Sequence, residues 1–273
     1  MTLLQAFILG IVQGLTEFLP ISSSGHLVLV PFLFGWQLNP EQVFPFDTLV
    51  QMGTLIAVII YFWKDLVAIV VAVFKGLADR TPFSTQEARL GWLLVLATIP
   101  AGVAGFLLEN VIEAAFHSAT ATALFLLLTA GLLLLAEWLG KRTRQMDEMT
   151  WQDALWIGAA QMLALFPGVS RSGSTMAGGM TRDLKRSDAA RFSFLMSVPV
   201  MLAAGAYSIY KLLKMPDLSD FLPVMAIGFL TAGVVGYFSI RWLLGYLQNH
   251  SLTGFAIYCA AVAVIILILS YVL

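Results

Sequence analysis

Charged residues are scarce in this sequence, which has 15 Lys and Arg and 16 Asp and Glu among 273 residues. Hydrophobic residues make up 59% of the chain, and its mean hydropathy is +0.87. A soluble fold of this length could not bury so much apolar surface, so the composition excludes a soluble protein and predicts a polytopic membrane protein. The formal net charge of −1 also argues against a nucleic-acid partner.

Cysteine is nearly absent, since Cys259 is the one cysteine in the chain and lies within an apolar run. A disulfide within one chain is therefore excluded, and we expect a small buried thiol. The first residues lack both a positively charged segment and an A-x-A-like cleavage site, so we expect no cleaved signal peptide.

Six apolar runs are long enough to cross a bilayer, which requires about 20 residues. They are Phe46–Trp63, Leu90–Leu108, Ala119–Trp138, Phe192–Leu212, Phe221–Leu244 and Leu252–Val272. Two other regions consist of shorter apolar pieces separated by Pro, Gly and Ser. These are Leu3–Leu15 with Leu27–Gly35, and Leu155–Phe166 with Thr175–Met180. Interrupted segments of this kind are typical of broken or re-entrant helices that line a cavity inside a membrane protein.

The two interrupted regions resemble each other at a constant offset of 148 residues. The identical pairs are Ala6 and Ala154, Gly10 and Gly158, Gln13 and Gln161, Leu15 and Leu163, Phe18 and Phe166, Ser22 and Ser170, Ser24 and Ser172, and Gly25 and Gly173. Residues 101–106 (AGVAGF) likewise resemble residues 232–237 (AGVVGY), and a longer loop at 64–89 explains the smaller offset there. We predict one all-α membrane domain over 1–273, built from two repeats at 1–140 and 150–273. Each repeat would be a re-entrant broken-helix hairpin followed by three transmembrane helices.

Three crossings per repeat would start the second repeat on the opposite side of the membrane, which predicts inverted-topology repeats. Placing both termini outside puts twelve Lys and Arg residues inside and two outside, as the positive-inside rule requires. The two hairpins would then enter from opposite faces and meet near the middle of the bilayer. Their tips carry the two polar motifs of the sequence.

The first motif, EFLPISSSGH, begins at Glu17 and ends at His26, and the second, PGVSRSG, contains Arg171. Polar and ionisable groups at membrane depth cost roughly 2.5–3.5 kcal/mol each, so their presence indicates function. A guanidinium suits phosphate oxygens, while glycines and helix N-termini expose N–H groups to an anion. The pattern predicts a phosphate-binding pocket. Its candidate binding residues are Ser22, Ser24, Gly25, Ser170, Ser172 and Gly173.

A hydroxyl near an imidazole and an acid also favours nucleophilic displacement at phosphorus. In that interpretation Ser23 attacks, Arg171 stabilises charge on the phosphoryl oxygens, and His26 shuttles the proton of the nucleophile or leaving group. Glu17 would orient His26 or hold a divalent cation. Structural alternatives stay open: the serines would cap helices, His26 would bond a backbone carbonyl, and Arg171 would be a counter-ion to Glu17.

The stretches QGLTEFLPISSSGH and PGVSRSG resemble the two signature motifs of the undecaprenyl-diphosphate phosphatase family, also called bacitracin resistance proteins. The resemblance extends over the whole chain. It implies a multi-pass hydrolase of the bacterial plasma membrane, open to the periplasmic side, that removes the terminal phosphate of undecaprenyl diphosphate. This reaction recycles the lipid carrier for peptidoglycan synthesis and confers bacitracin resistance.

The same resemblance implies that Ser23 is the nucleophile, assisted by Glu17, His26 and Arg171, with a divalent cation, Mg²⁺ or Ca²⁺. The family pattern allows Glu at the position of Gln13, so Gln here leaves Glu17 as the one local carboxylate for a metal. The expected partners are a prenyl diphosphate lipid and membrane lipid, with a homodimer left open. The rival interpretation is a lipid-phosphate transporter or flippase, because inverted repeats with broken helices are common in transporters.

Overall fold

The computed structural model describes residues 1–108, 111–112, 118–212 and 218–272, and these residues are overwhelmingly helical. The first half contains α1 Leu3–Thr16, α2 Ser23–Leu33, α3 Pro40–Tyr61, α4 Trp63–Ala78, α5 Gln86–Leu107 and α6 Ala119–Leu139. The second half contains α7 Trp151–Leu163, α8 Arg171–Met180, α9 Arg186–Leu212, α10 Leu218–Tyr246 and α11 Thr253–Val272. The prediction of an all-helical membrane protein is confirmed.

Among the described residues, four of the six predicted spans correspond to single helices that can cross a bilayer. Four helices, namely α5, α6, α10 and α11, are long and apolar enough to cross a bilayer alone, and α3 with α4 would make a fifth. The remaining predicted span, Phe192–Leu212, lies within α9, and part of it falls outside the residues whose side chains the structure describes. Its residues 192–197 are buried in the protein, and Ser193 and Ser197 bond to protein groups there.

The segment 64–89, treated above as a loop, contains the helix α4, which is bent by 79° from the preceding helix. Its apolar residues repeat with helical periodicity, so that Ile69 and Gly76 are buried on one side while Val71 and Phe74 are exposed. Because charged residues such as Lys64 lie at both ends, the sequence of this segment resembles that of a loop. The prediction of a simple loop was wrong.

The helix boundaries recur at the offset seen in the sequence. Helix α1 begins 148 residues before α7, and α2 begins 148 residues before α8. Thr2 forms a capping box with Gln5 at the start of α1, and Thr150 forms one with Asp153 at the start of α7. The inverted arrangement of the two repeats stays a prediction.

Corresponding helices of the two repeats pack on partners from the other repeat. Helix α1 lies against α10, α7 lies against α5, and α6 lies against α11. A Cβ atom at Gly10 would lie 2.8 Å from the carbonyl oxygen of Gly228, and one at Gly14 would lie 2.7 Å from Cβ of Val235. Only glycine fits at these two positions, as is usual where membrane helices approach closely.

A buried carboxylate joins three segments at one end of the helix bundle. Asp153 accepts hydrogen bonds from Arg144 at 2.8 Å and from Arg182 at 2.6 Å, and its side chain is 0% exposed. Burial alone would raise the pKa of Asp153, but the bonds from both arginines and from Thr150 outweigh it and lower the pKa. The contact holds the segment between α6 and α7 against the turn after α8.

We expect Asp153→Asn to lower the free energy of unfolding by on the order of 3 kcal/mol, because two guanidinium groups lose their anion. The matched control is Asp65→Asn, whose pair with Arg191 is 37% and 43% exposed. That change should cost about 0–1 kcal/mol. Thermal unfolding in detergent compares the two variants. Equal shifts in Tm would contradict a structural role for Asp153.

The pH dependence of this effect has a defined sign. Because the folded pKa of Asp153 is lowered, its stabilisation is present above the unfolded value, which is about 3.9, and is lost as pH falls through the folded value. The Tm difference between Asp153→Asn and the unmodified chain should therefore be constant from about pH 5 to pH 8.

Candidate active site

The two polar motifs meet at the tips of the two broken-helix pairs. The Ser172 hydroxyl donates a 3.1 Å hydrogen bond to the carbonyl oxygen of Leu19. A Cβ atom at Gly173 would lie 3.4 Å from Cβ of Pro20, and one at Gly25 would lie 3.5 Å from Cα of Gly168. The structure thus brings the tip of the first pair into contact with the tip of the second.

Two serines cap the helices that follow the tips. Ser22 Oγ accepts from the Gly25 amide at 3.3 Å, and Ser170 Oγ accepts from the Gly173 amide at 3.0 Å. Both serines therefore cap helices, as one of the structural alternatives expects, and the amides of Gly25 and Gly173 are directed at these caps. The tips differ in backbone, since Ser22 has a φ of 69°. Such a conformation is strained for a residue other than glycine and is frequent at functional sites.

The Glu17 carboxylate lies at the centre of the site and is almost fully buried. Its Oε2 atom accepts hydrogen bonds from Ser23 Oγ at 2.6 Å and from Gln13 Nε2 at 3.0 Å. Its Oε1 atom accepts from Arg171 Nη2 at 2.6 Å. Arg171 is therefore a counter-ion to Glu17 in the structure, as one of the structural alternatives expects.

Ser23 and Arg171 are thus held by the two oxygens of one carboxylate. The side chain of Arg171 is 15% exposed. Its Nη1 atom is buried and has no hydrogen-bond partner among the described residues. A guanidinium with one nitrogen on a carboxylate and the other unpaired can still bind an oxygen of an incoming anion.

His26 is held by a different pair of groups. Its Nδ1 atom lies 2.8 Å from the carbonyl oxygen of Ser22, and its Nε2 atom lies 2.8 Å from the hydroxyl of Tyr258. The sequence predicts that Glu17 orients His26 or holds a cation. In the structure, the two carboxylate oxygens of Glu17 bond to Ser23, Gln13 and Arg171 instead of His26. The carbonyl-bonded alternative for His26 is the arrangement observed.

The other candidate serines form a network behind the tips. The hydroxyls of Ser22 and Ser24 lie 3.4 Å apart, and those of Ser170 and Ser172 lie 3.1 Å apart. Thr129 on α6, which the sequence analysis missed, accepts from the Ser170 amide at 3.0 Å and donates to the Gly168 carbonyl at 3.0 Å. This threonine lies inside an apolar run that gives no sign of its contacts.

The residues around Glu17 match the donor type of a hard divalent cation. Within the described ranges, no three His, Cys, Asp or Glu side chains form a metal-binding group. Gln13 Oε1 is nevertheless a buried oxygen that has no partner in the described part of the chain. Mg²⁺ is commonly held by one or two carboxylates together with substrate phosphates and water, so Glu17 and Gln13 fit a cation shared with a phosphate ligand.

The helical bundle, its buried carboxylate and the partly buried serine and guanidinium beside it define a multi-pass membrane protein equipped for chemistry on an anion. A family model described as Bacitracin resistance protein BacA matches residues 6–265. This match shows that the chain belongs to the bacitracin resistance protein BacA family, as its motifs predict.

Curated relatives match almost the whole chain. A protein of Chlorobium phaeobacteroides (strain BS1), named undecaprenyl-diphosphatase, is 48% identical over 98% of this chain and 96% of its own length. Proteins of the same name from Myxococcus xanthus and Chlorobium phaeovibrioides are 44% and 45% identical over 98% of this chain. The match covers 89% of the Myxococcus xanthus protein and 97% of the Chlorobium phaeovibrioides protein.

The contacts of Thr129 predict the effect of removing its hydroxyl. Thr129→Val keeps the shape of the side chain but leaves the Ser170 amide and the Gly168 carbonyl without this partner, which should cost about 1–3 kcal/mol of stability. Thr98→Val is the control, because its hydroxyl bonds to Leu94 one turn earlier in its own helix. Thermal unfolding measures both, and an equal loss in the two variants would contradict a role for Thr129 at the tip.

Proposed function

We propose that this protein hydrolyses undecaprenyl diphosphate to undecaprenyl phosphate and inorganic phosphate. The observation that carries the proposal is the Glu17 carboxylate, which binds the Ser23 hydroxyl on one oxygen and Arg171 on the other. This arrangement supplies a nucleophile, its base and an anion-binding group within one buried site. The names of the relatives supply the substrate.

In the first step, Ser23 Oγ attacks the terminal phosphorus of the diphosphate. Its proton passes to Glu17 Oε2, which already accepts the hydroxyl hydrogen at 2.6 Å. The bond between the terminal phosphorus and the bridging oxygen breaks, and the prenyl monophosphate leaves with the bonding electron pair. The products of this step are a phosphoserine and a protonated Glu17.

In the second step, a water molecule attacks the phosphoserine. The Ser23 oxygen leaves with its bonding pair and takes the proton held by Glu17, and one proton of the attacking water passes to the released phosphate. The Ser23 hydroxyl and the Glu17 carboxylate are regenerated and inorganic phosphate is released, so atoms and charge balance over the two steps.

Arg171 would stabilise the charge that develops on the phosphoryl oxygens. Its unpaired Nη1 is the donor available for this contact, while Nη2 keeps the side chain aligned on Glu17. Helices α2 and α8 begin at Ser23 and Arg171. The partial positive charge of a helix N-terminus also favours binding of a phosphate.

The proposal includes a divalent cation, Mg²⁺ or Ca²⁺, which the protein and the phosphate of the substrate would bind together. Glu17 and the amide oxygen of Gln13 are the groups that would hold it. When bound, it would neutralise charge on the phosphate oxygens. Gln13 also donates to Glu17, so this residue keeps the carboxylate in place with or without the cation.

His26 has a separate role in this scheme. Glu17 is the hydrogen-bond partner of Ser23, so the base role passes from His26 to Glu17. We assign His26 to the leaving-group side, where its Nε2 faces the Tyr258 hydroxyl. Ser24 and Ser172 are retained as binding candidates beside the two caps.

The reaction would take place at the external face of the plasma membrane, in a frame of two inverted repeats with both termini outside. Two observations support this orientation. The helix boundaries repeat at the 148-residue offset, and several arginines that the positive-inside rule places inside the cell gather around Asp153 and Glu137. Hydrolysis on the external side would recycle the lipid carrier of peptidoglycan synthesis and give resistance to bacitracin.

Phosphate release from a long-chain prenyl diphosphate by the purified protein tests the mechanism. Ser23→Ala should reduce kcat on the order of 10³-fold or more, and Arg171→Lys should reduce it about 10²–10³-fold. Ser239→Ala is the control, because this buried hydroxyl bonds to Val235 of its own helix and to no other group among the described residues. Full activity of Ser23→Ala would refute the nucleophile. Lipid translocation without phosphate release would favour the transporter alternative.

Labelling of introduced cysteines tests the orientation. Gln37 and Ser84 are exposed, and the proposed topology places Gln37 outside and Ser84 inside the cell. A membrane-impermeant maleimide added to intact cells should label Gln37→Cys and not Ser84→Cys. The native Cys259 is buried and should give no background. The reverse labelling pattern would overturn the orientation and leave the chemistry unaffected.

A further inference from the structure

The hydrogen-bond partners of His26 determine which of its nitrogens carries the proton. Nδ1 lies 2.8 Å from the carbonyl oxygen of Ser22, which can only accept, so Nδ1 is protonated. In the neutral ring Nε2 then carries the lone pair. The hydroxyl of Tyr258, at 2.8 Å, is therefore the donor to Nε2.

Tyr258 reaches this position from the last helix of the chain, 232 residues away from His26 in sequence. The two rings are nearly parallel, with an interplanar angle of 10° and centroids 5.7 Å apart. The next residue, Cys259, is buried and its thiol lies 3.7 Å from the carbonyl oxygen of Pro20 in the same tip. Two successive residues of α11 thus contact the first motif.

The two partners also satisfy the imidazole after it gains a proton. Protonated His26 donates from both nitrogens, to the Ser22 carbonyl and to the Tyr258 oxygen, and the Tyr258 hydrogen turns to another acceptor. Tyr258 is 42% exposed whereas His26 is 7% exposed.

We infer that Tyr258 is a positioning residue, which donates to Nε2 and, together with the Ser22 carbonyl, holds His26 in one orientation for the phosphatase reaction. The inference rests on the proposed function for its effect on catalysis. Its structural part, the tautomer and the hydrogen bond, can be tested without any substrate.

The first experiment is nitrogen NMR of the full chain, labelled with ¹⁵N-histidine and reconstituted in lipid nanodiscs. We expect a His26 signal of a neutral ring with protonated Nδ1 and hydrogen-bonded Nε2, assigned by its loss in His26→Gln. Tyr258→Phe should shift the Nε2 signal, because Nε2 loses its donor, while Nδ1 stays protonated against the Ser22 carbonyl. Tyr271→Phe, which changes a 93% exposed tyrosine of the same helix, should leave the Nε2 signal unchanged. An unchanged Nε2 signal in Tyr258→Phe would overturn the inference.

The second experiment measures phosphate release from a long-chain prenyl diphosphate. Tyr258→Phe should lower kcat about fivefold through the loss of one hydrogen bond, with KM unchanged within about twofold. In the His26→Gln background the same change should have no further effect, because Tyr258 acts through His26. An equal fivefold loss in both backgrounds would overturn the inference. If the unmodified protein released no phosphate, the proposed function would fail while the NMR result still decided the Tyr258–His26 contact.

Discussion

The ion pair between Glu17 and Arg171 is the interaction on which the site depends. An isolated carboxylate inside a membrane domain is strongly disfavoured, and it persists only where opposite charge and hydrogen bonds compensate it. Here Arg171 supplies the charge, while Ser23 and Gln13 occupy the other oxygen. Because the two partners lie 154 residues apart, the bond that neutralises Glu17 also holds the two halves of the site together.

The sequence repeat explains why a site of this kind needs two different halves. Both tips share a serine cap and a glycine, but the residue after the cap is Ser23 in one tip and Arg171 in the other. Leu165 lies at the position that corresponds to Glu17. Two identical tips with arginine would repel each other, and two with serine would leave the carboxylate uncompensated. The starts of the helices around the tips recur at the 148-residue offset, whereas the charged groups of the tips do not.

Much of this arrangement follows from local sequence. Apolar runs ended by Pro, Gly and Ser predict helix boundaries to within a few residues, as for α6, expected at Ala119–Trp138 and found at Ala119–Leu139. The 148-residue offset predicts that the two motifs lie together. Helix α4 was missed because its charged ends made the segment resemble a loop.

Contacts between distant side chains could not be predicted in the same way. The sequence places Glu17, Ser23 and His26 within ten residues, which made a Glu17–His26 contact the expected one. The second tip decides which donors bond to each carboxylate oxygen of Glu17. Arg171 bonds to one oxygen and thereby orients the other toward Ser23. Tyr258 lies in an apolar helix, with no local pattern that marks it as the partner of His26.

The same ion pair has a consequence for the order of events in the proposed mechanism. In the resting site the charge of Arg171 is shared with Glu17, so its attraction for a further anion is reduced. Transfer of the Ser23 proton to Glu17 neutralises the carboxylate, and the guanidinium is then free to stabilise the phosphoryl oxygens. In the proposed mechanism, one proton transfer would thereby both activate the nucleophile and stabilise the transition state. A base that was not paired with Arg171 would activate Ser23 without this second effect.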